Sequence, residues 1–333
     1  MTAIVAGTAA GAAVIAAAIL IGRPAPSRPA AGPAHQRLPV PAIHSLAPAR
    51  GALFGAWVQP VRYGLPGSET AVTGFEHAIG RKLAINQLYV PWGAPMPLAL
   101  ARWDVRNGRI PMISWSGART DRITSGAYDT QIRARAIALR ELRGPVMLRW
   151  FAEMDDAPNR AAAVSPASFV AAWQHIHEIF TTVGATNVRW VWCPDASAFA
   201  AERAQKYYPG RSFVDWAGAD GYNWAPERPN VKWRSFATIF AAFYRWGVPA
   251  GVPLLIGEYG AVEGPPGAKA GWFRQVDQQL RSQFPGIHAV VYFNSDHVNF
   301  GQHFNWRVTT SPSALAAFRA FAGDPYFGVR PVT

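Results

Sequence analysis

The sequence contains one cysteine, Cys193, among 333 residues. An internal disulfide therefore cannot form, and packing alone has to stabilise the fold. Cys193 stands in an apolar run, which is typical of a core position rather than of a reactive thiol. We predict that Cys193 is buried.

Signatures of metal and nucleotide sites are also missing. No HExxH motif, cysteine cluster or glycine-rich phosphate turn occurs. His175 and His177 would point about 200° apart on a helix, so they cannot share an ion. Asp296, His297 and His303 could share a loop site, but no motif supports one. We therefore predict no catalytic metal and no cofactor.

Two further functional classes are disfavoured, namely lipase-like hydrolases and nucleic-acid-binding proteins. No Gly-x-Ser-x-Gly elbow is present, which argues against a lipase-like nucleophile. The formal net charge is +12, but the arginines and lysines are scattered and no nucleic-acid-binding motif appears. We expect no nucleic-acid partner. An anionic cell-wall or membrane surface is a more plausible contact for a basic protein of this kind.

The amino-terminal segment is apolar. Residues 2–22 carry no charge, and a stretch rich in Pro, Ala and Arg follows over residues 23–47. The first segment is predicted to be a signal peptide or a membrane anchor, and the second a linker. No Lys or Arg precedes the apolar run, which is unusual for an export signal. Both alternatives place the folded part outside the cytoplasm, as a secreted or anchored protein.

The remaining chain, residues 48–328, is predicted to form one domain. Half of all residues are hydrophobic, and 14 Trp, 10 Tyr and 18 Phe are ample for a large core. Strand-like and helix-like segments alternate along it without a linker long enough to separate two domains. The eight predicted strands begin near Leu53, Leu83, Ile110, Val146, Val188, Val214, Leu254 and Ile287.

Several of these strands are continuous apolar runs, which suits strands covered on both faces. The intervening helices have readable ends: Ser165 and Pro166 open one that Gly184 closes, and Ser311 opens the last. Eight strand–helix units in about 280 residues are typical of a (β/α)8 barrel. The sequence therefore predicts an α/β fold with a single TIM barrel, whose site lies at the carboxyl ends of the strands.

Polar and aromatic side chains follow the predicted strands at that rim. Aromatic faces stack on sugar rings, and carboxylates and amides bind hydroxyl groups, so the rim suits a carbohydrate. Trp173 and Trp190 are interpreted as packing residues instead. The candidate substrate-binding residues are Trp92, Trp115, Arg149, Asp195, Asp220, Tyr222, Asn223, Trp224, Tyr259 and Asn294.

Two glutamates, Glu153 and Glu258, each stand just beyond an apolar strand. Such a carboxylate is costly unless it meets water, a partner or a substrate. In a retaining glycosidase two carboxyl groups about 5 to 5.5 Å apart serve as acid/base and nucleophile. The alternative is a structural ion pair, for instance with Arg149. If Arg149 points inward, it could instead keep Glu258 ionised.

Five segments carry a resemblance to a known family: Arg149–Asp155, Trp190–Pro194, Tyr207–Gly210, Val214–Trp224 and Ile256–Gly260. In this order they resemble glycoside hydrolase family 26, the β-mannanase family. The resemblance covers nearly the whole chain after about residue 50.

This resemblance implies a retaining glycosidase with Glu153 as acid/base and Glu258 as nucleophile. It also implies that Tyr222 hydrogen-bonds the nucleophile. Family members act mostly on β-1,4-mannans, and some on mixed-linkage β-glucan or β-1,3-xylan. The chain departs from the family at Ala152, where a histidine usually precedes the acid/base, and this puts the substrate in question.

The expected function is an endo-β-1,4-mannanase or a related β-glucanase or xylanase. We expect a monomer that acts on a polysaccharide. Ala152 keeps a second interpretation open, in which the barrel binds cell-wall polysaccharide without cleaving it. A third interpretation is an anchored enzyme that assists synthesis of the cell's own exopolysaccharide.

Overall fold

A computed structural model of the chain describes residues 46–299 and 302–328. Eight parallel strands form a closed barrel in chain order, with the eighth strand pairing with the first. The predicted (β/α)8 fold is therefore confirmed. The strands are β1 Leu53–Val58, β2 Ile85–Val90, β3 Ile110–Trp115, β4 Val146–Trp150, β5 Val188–Trp192, β6 Trp216–Asn223, β7 Leu254–Ala261 and β8 Ile287–Asn294.

Helices connect the strands on the outside of the barrel. They are α1 Leu65–Ile79, α2 Leu98–Arg106, α3 Thr120–Thr124, α4 Asp129–Arg140, α5 Ala157–Ala163, α6 Pro166–Val183, α7 Ala196–Ala200, α8 Phe236–Ala250, α9 Ala268–Ser282 and α10 Pro312–Ala322. Among residues 46–299 and 302–328, no helix is long and apolar enough to cross a membrane. The predicted signal or anchor at 1–22, and the linker except for its last two residues, lie outside the described residues.

Helix ends follow the local sequence signals. The Ser165 hydroxyl accepts a hydrogen bond from the Ser168 N–H, and Gly184 ends α6 in the left-handed conformation. Ser311 caps α10 in the same way through the Ala314 N–H. Each such cap contributes about 1 kcal/mol. The predicted starts of α6 and α10 and the predicted end of α6 are confirmed.

The core has two layers. A small cluster inside the barrel includes Leu53, Ile110, Met147 and Cys193, all nearly or fully buried. A much larger cluster fills the space between strands and helices, and Trp173 and Trp190 belong to it as predicted. Each large apolar side chain buried in this way contributes roughly 1.5–3 kcal/mol. The barrel is therefore a rigid support for the rim residues.

Two details of the fold differ from the sequence prediction. The strands β2 and β6 begin two residues later than expected, at Ile85 and Trp216. A hairpin that was not predicted, β9 Asp296–Asn299 and β10 Gln302–Asn305, follows β8 at the carboxyl end of the barrel. The chain then turns inward, and Trp306 is buried against Tyr222.

Candidate active site

Glu258 lies on β7 and is almost completely buried, with 8% of its surface exposed. Its Oε1 accepts hydrogen bonds from the Tyr89 hydroxyl at 2.6 Å and from Gln87 Nε2 at 3.1 Å. Arg149 Nη2 also donates to Oε1, and the Tyr222 hydroxyl donates to Oε2. Four donors from three strands therefore converge on one carboxylate.

This arrangement favours the ionised form of Glu258. Burial alone would raise its pKa, but the Arg149 charge and the hydrogen bonds from Tyr222 and Tyr89 together hold the pKa below its ordinary value. A carboxylate that stays ionised in a cavity can act as a nucleophile toward a sugar ring.

Arg149 on β4 points into the barrel, which settles the orientation that the sequence left open. Its Nε donates to Ser114 Oγ at 2.8 Å, and its Nη1 donates to both Asp220 oxygens at 2.7 and 2.8 Å. The Cys193 thiol donates to Asp220 as well, at 3.1 Å. Asp220 therefore fixes the guanidinium that contacts Glu258.

Glu153 follows β4 on a tight turn. Phe151 and Glu153 have φ of 49° and 52°, a left-handed conformation that costs on the order of 1 kcal/mol for each residue. The Glu153 N–H donates to the Cys193 carbonyl at 2.9 Å, and Asn159 Nδ2 donates to the Glu153 carbonyl at 2.9 Å. These contacts hold the side chain of Glu153 at the rim of the barrel.

The surroundings of Glu153 favour its protonated form. Burial and the nearby Asp220 and Glu258 raise its pKa well above the ordinary value, and Asp156 and Asp195 add to the effect. Carboxylate oxygens of Glu153, Asp156 and Asp195 lie within 4.8 Å of one another. Among the described residues, no side chain donates a hydrogen bond to the Glu153 carboxyl group. A raised pKa suits Glu153 to act as a proton donor.

Both glutamates line one cavity of about 530 Å³ at the carboxyl ends of the strands. Aromatic side chains form much of its wall, with polar groups between them. Ala152 lies at the same wall and offers no side-chain donor. The other lining residues are Trp57, Gln59, Tyr63, Tyr89, Ser114, Trp115, Ser116, Gly117, Arg149, Phe151, Asn159, Phe293 and His297.

Comparison with known proteins agrees with this geometry. Residues 112–249 match the model of glycosyl hydrolase family 26. Over 289 residues the chain is 30% identical to Endoglucanase H of Acetivibrio thermocellus, a match that covers 82% of this chain. The chain is therefore similar to glycosyl hydrolase family 26 over residues 112–249. It spans 30% of the length of Endoglucanase H.

Solved structures show the same barrel. A GH26 protein from Muricauda sp. superposes with a TM-score of 0.62 at 14% identity, covering 83% of this chain and 86% of that one. A GH26 β-mannanase from Bacteroides ovatus gives 0.60 at 14% identity, covering 84% and 90%. At this level of identity the likeness establishes the fold that this chain shares with them.

The structure brings together some of the predicted site residues. Trp115, Arg149, Glu153 and Glu258 line the cavity. Three others line a neighbouring pocket, namely Asp195, Tyr222 and Trp224. The remaining five do not line either space: Trp92, Asp220, Asn223, Tyr259 and Asn294.

Tyr259 requires a correction. It is fully buried on the helix side of β7, where its ring packs against Phe236, Trp272 and Tyr292. Successive side chains of a strand point to opposite faces, so the residue next to the inward Glu258 has to point outward. Tyr259 is a core residue and not a cleft residue.

The other four residues outside the cavity have structural contacts. Asp220 is bonded to Arg149, as described above, and Trp92 stacks on Trp115 with ring centroids 4.3 Å apart. Asn223 Oδ1 accepts from the Arg234 N–H at 3.2 Å, and Asn294 Oδ1 accepts from the Val308 N–H at 2.9 Å. Asp220, Asn223 and Asn294 are buried, whereas Trp92 is partly exposed, and contact of these four residues with a substrate stays a prediction.

Sequence reasoning missed Tyr89 in the cavity wall and Gln87 beside it, two β2 residues that both donate to Glu258. A signal was present, because the polar pair Asn86 and Gln87 interrupts an otherwise apolar strand. Gln87 and Tyr89 are two residues apart and thus share a face. Trp57 and Phe293, on β1 and β8, stack with ring centroids 4.7 Å apart and close the same side of the cavity.

Proposed function

We propose that this chain is a retaining glycoside hydrolase that cleaves a β-linked polysaccharide. Glu258 acts as the nucleophile and Glu153 as the acid/base. The observation that carries the proposal is the contrast between these two carboxyl groups in one cavity. Contacts with Arg149, Tyr222 and Tyr89 lower the pKa of Glu258, whereas burial and neighbouring carboxylates raise the pKa of Glu153. Two carboxyl groups with separated pKa values are what acid-assisted nucleophilic displacement requires.

The reaction has two steps. The Glu258 carboxylate attacks the anomeric carbon while Glu153 gives its proton to the departing glycosidic oxygen, leaving a glycosyl ester on Glu258. Glu153, now ionised, takes a proton from water, and that water oxygen attacks the anomeric carbon and releases Glu258. Tyr89 and Tyr222 keep hydrogen bonds to the carboxylate that is regenerated.

The next question is which polysaccharide backbone the protein cleaves. The relative at 30% identity is named an endoglucanase, whereas the mannanases among the solved structures share only the fold. Sequence identity thus favours a β-glucan first and a β-mannan second. Ala152 supports a change in sugar preference, because a methyl group cannot hydrogen-bond a sugar hydroxyl.

The binding-only alternative rests on Ala152 alone. Burying the Glu258 carboxylate and its four donors removes all of them from water, which is energetically costly. A barrel that only bound polysaccharide would not need this costly arrangement. This argument favours the enzyme.

We also propose that the protein acts outside the cytoplasm as a monomer, near the cell wall, with residues 1–22 as its signal or anchor.

The proposal is tested by release of reducing sugar from β-glucan, glucomannan, mannan, cellulose and β-1,3-xylan by the full-length protein. Activity on at least one substrate that disappears in Glu258→Ala supports the enzyme and identifies its sugar. Glu178→Ala is the matched control, since Glu178 is exposed on α6, away from the cavity. Binding without release in the unmodified protein would instead support the non-catalytic barrel.

A further inference from the structure

A second pocket of about 380 Å³ lies beside the cavity, between the segments that follow β5 and β6. Three of its lining residues are cationic: Arg228, Lys232 and Arg234. Asp195 is the acid that lines it. The Asp195 carboxylate already accepts a hydrogen bond from the Ser197 N–H at 2.7 Å, as the cap of α7. The lining therefore carries a net positive charge.

Arg234 is held in place and has spare donors. Its backbone N–H is bonded to Asn223, and its Nη2 donates to the Tyr222 carbonyl at 3.3 Å. Its Nε is buried and has no hydrogen-bond acceptor among the described residues. Arg234 lines the pocket, so an anion bound there would lie next to its charge. The guanidinium also has the planar shape that matches carboxylate and sulfate groups.

The other two cations differ in setting. Lys232 is exposed at the pocket mouth. Arg228 lies over the Trp224 ring, with its guanidinium carbon 5.3 Å from the ring centroid. Trp224 is partly exposed at the pocket, and its ring also packs against Phe304 and Trp306.

This pocket adjoins the reacting groups. Tyr222 lines the pocket and its hydroxyl is bonded to Glu258. Asp195 lines the pocket, and its carboxylate lies within 4.8 Å of that of Glu153. A group bound in the pocket would therefore belong to a sugar close to the bond that is cleaved.

We propose that the pocket formed by Trp224, Arg228, Lys232 and Arg234 binds an anionic group on the polysaccharide. The substrate is then an acidic β-linked glycan whose sugars carry carboxylate or sulfate. This inference deepens the proposed function and rests on it for the position of the pocket next to the cleavage site. The excess of positive charge on the whole chain, +12, would attract such a polymer.

The test is equilibrium binding, measured by titration calorimetry with the full-length Glu258→Gln variant, so that hydrolysis does not interfere. The probes are β-1,4-gluco- and manno-oligosaccharides in neutral, C6-carboxylated and sulfated forms. We expect at least one charged form to bind about tenfold more tightly than its neutral counterpart. That preference should weaken at high salt.

Variants that remove one positive charge test whether the pocket causes this preference for charged forms. Lys232→Gln in the same background should reduce the preference for the charged form several-fold. Lys82→Gln, which removes the same charge from an exposed residue before β2 at the opposite end of the barrel, should leave it unchanged. Whether the carboxylated or the sulfated form binds better identifies the anion.

Three results would overturn the inference: equal affinity for charged and neutral forms, an equal loss in the two lysine variants, or no binding of any probe. Failure of the proposed function looks different. If charged forms bind with the predicted preference but the unmodified protein never cleaves them, the anion pocket stands and the hydrolase does not.

Discussion

Two buried arginines show how similar chemistry serves two purposes in this barrel. Arg149 is 1% exposed and bonds Asp220 and Glu258. Arg109, just before β3, is 3% exposed; it bonds Glu76 at 2.7 Å, and its Nη1 lies 3.9 Å from Asp104. Each guanidinium thus neutralises carboxylates in the interior, where an unpaired charge would be very costly.

The difference lies in what else the carboxylates face. Glu76 accepts the Leu83 N–H at 2.8 Å, and Asp104 accepts Asn86 Nδ2 at 3.0 and 3.1 Å; neither lines the cavity. Glu258 has a similar number of donors and does line it. A buried ion pair alone therefore does not identify an active site. What distinguishes Glu258 is that its carboxylate is also open to the cavity.

The largest contrast should come from replacing each arginine by methionine. Arg149→Met should lower kcat roughly a thousandfold, because Glu258 loses the charge that keeps it ionised and oriented. Arg109→Met should leave kcat per folded molecule within about twofold. Both should reduce the free energy of unfolding by about 3–5 kcal/mol, since each leaves buried carboxylates unpaired.

Kinetics and urea unfolding measure the two effects separately. If the methionine variants do not fold, Arg149→Lys and Arg109→Lys keep the charge and test instead whether kcat depends on the guanidinium geometry at each position. An equal loss of kcat in both members of a pair would contradict the distinction between the two networks.

A smaller contrast separates two tyrosines of the same barrel. Tyr222→Phe removes a hydrogen bond that lowers the pKa of Glu258, so this pKa should rise. The acidic limb of the kcat/KM profile should then move to higher pH, and kcat should fall about 30-fold. Tyr259→Phe should leave both unchanged, because the Tyr259 hydroxyl is buried away from the cavity. A shifted limb in Tyr259→Phe would count against the corrected placement.

The smallest effect concerns stability in the Arg109 network. Burial raises the pKa of Asp104 to about 7, and this outweighs the Asn86 hydrogen bond and the Arg109 charge. Because the folded protein binds this proton more tightly than the unfolded chain, the stabilisation is complete below about pH 4 and is lost as the pH rises through 7.

Asp104→Asn cannot titrate at this position. Between pH 5 and 7 the wild type should therefore lose on the order of 2 kcal/mol of stability relative to the variant. Urea unfolding at several pH values measures this difference. A constant difference across that range would show that Asp104 is ionised throughout.

Much of the fold could be predicted from the sequence because its signals are local. Apolar runs, a capping Ser165 and a closing Gly184 depend on neighbouring residues only. Glu153 and Glu258 could also be recognised from the sequence, since an acidic residue just after an apolar strand is costly unless it meets water, a partner or a substrate. Their roles remain proposals that the experiments above and below address.

The rest of the site depends on contacts between distant parts of the chain. Tyr89 and Glu258 are 169 residues apart in sequence, and only barrel closure brings them together. Strand alternation could have excluded Tyr259 once Glu258 was assigned inward. No local pattern could show that Asp220 faces Arg149 instead of a substrate, because both outcomes place an acid at a strand end.

The most direct test of the central claim is to trap the nucleophile. A 2-deoxy-2-fluoro glycoside with an activated leaving group, made for the sugar that the substrate panel identifies, should accumulate as an ester on the protein. Peptide mapping by mass spectrometry should find the label on Glu258, and Glu258→Ala should take up none. Labelling of a different carboxylate, or turnover with inversion at the anomeric carbon, would contradict the account.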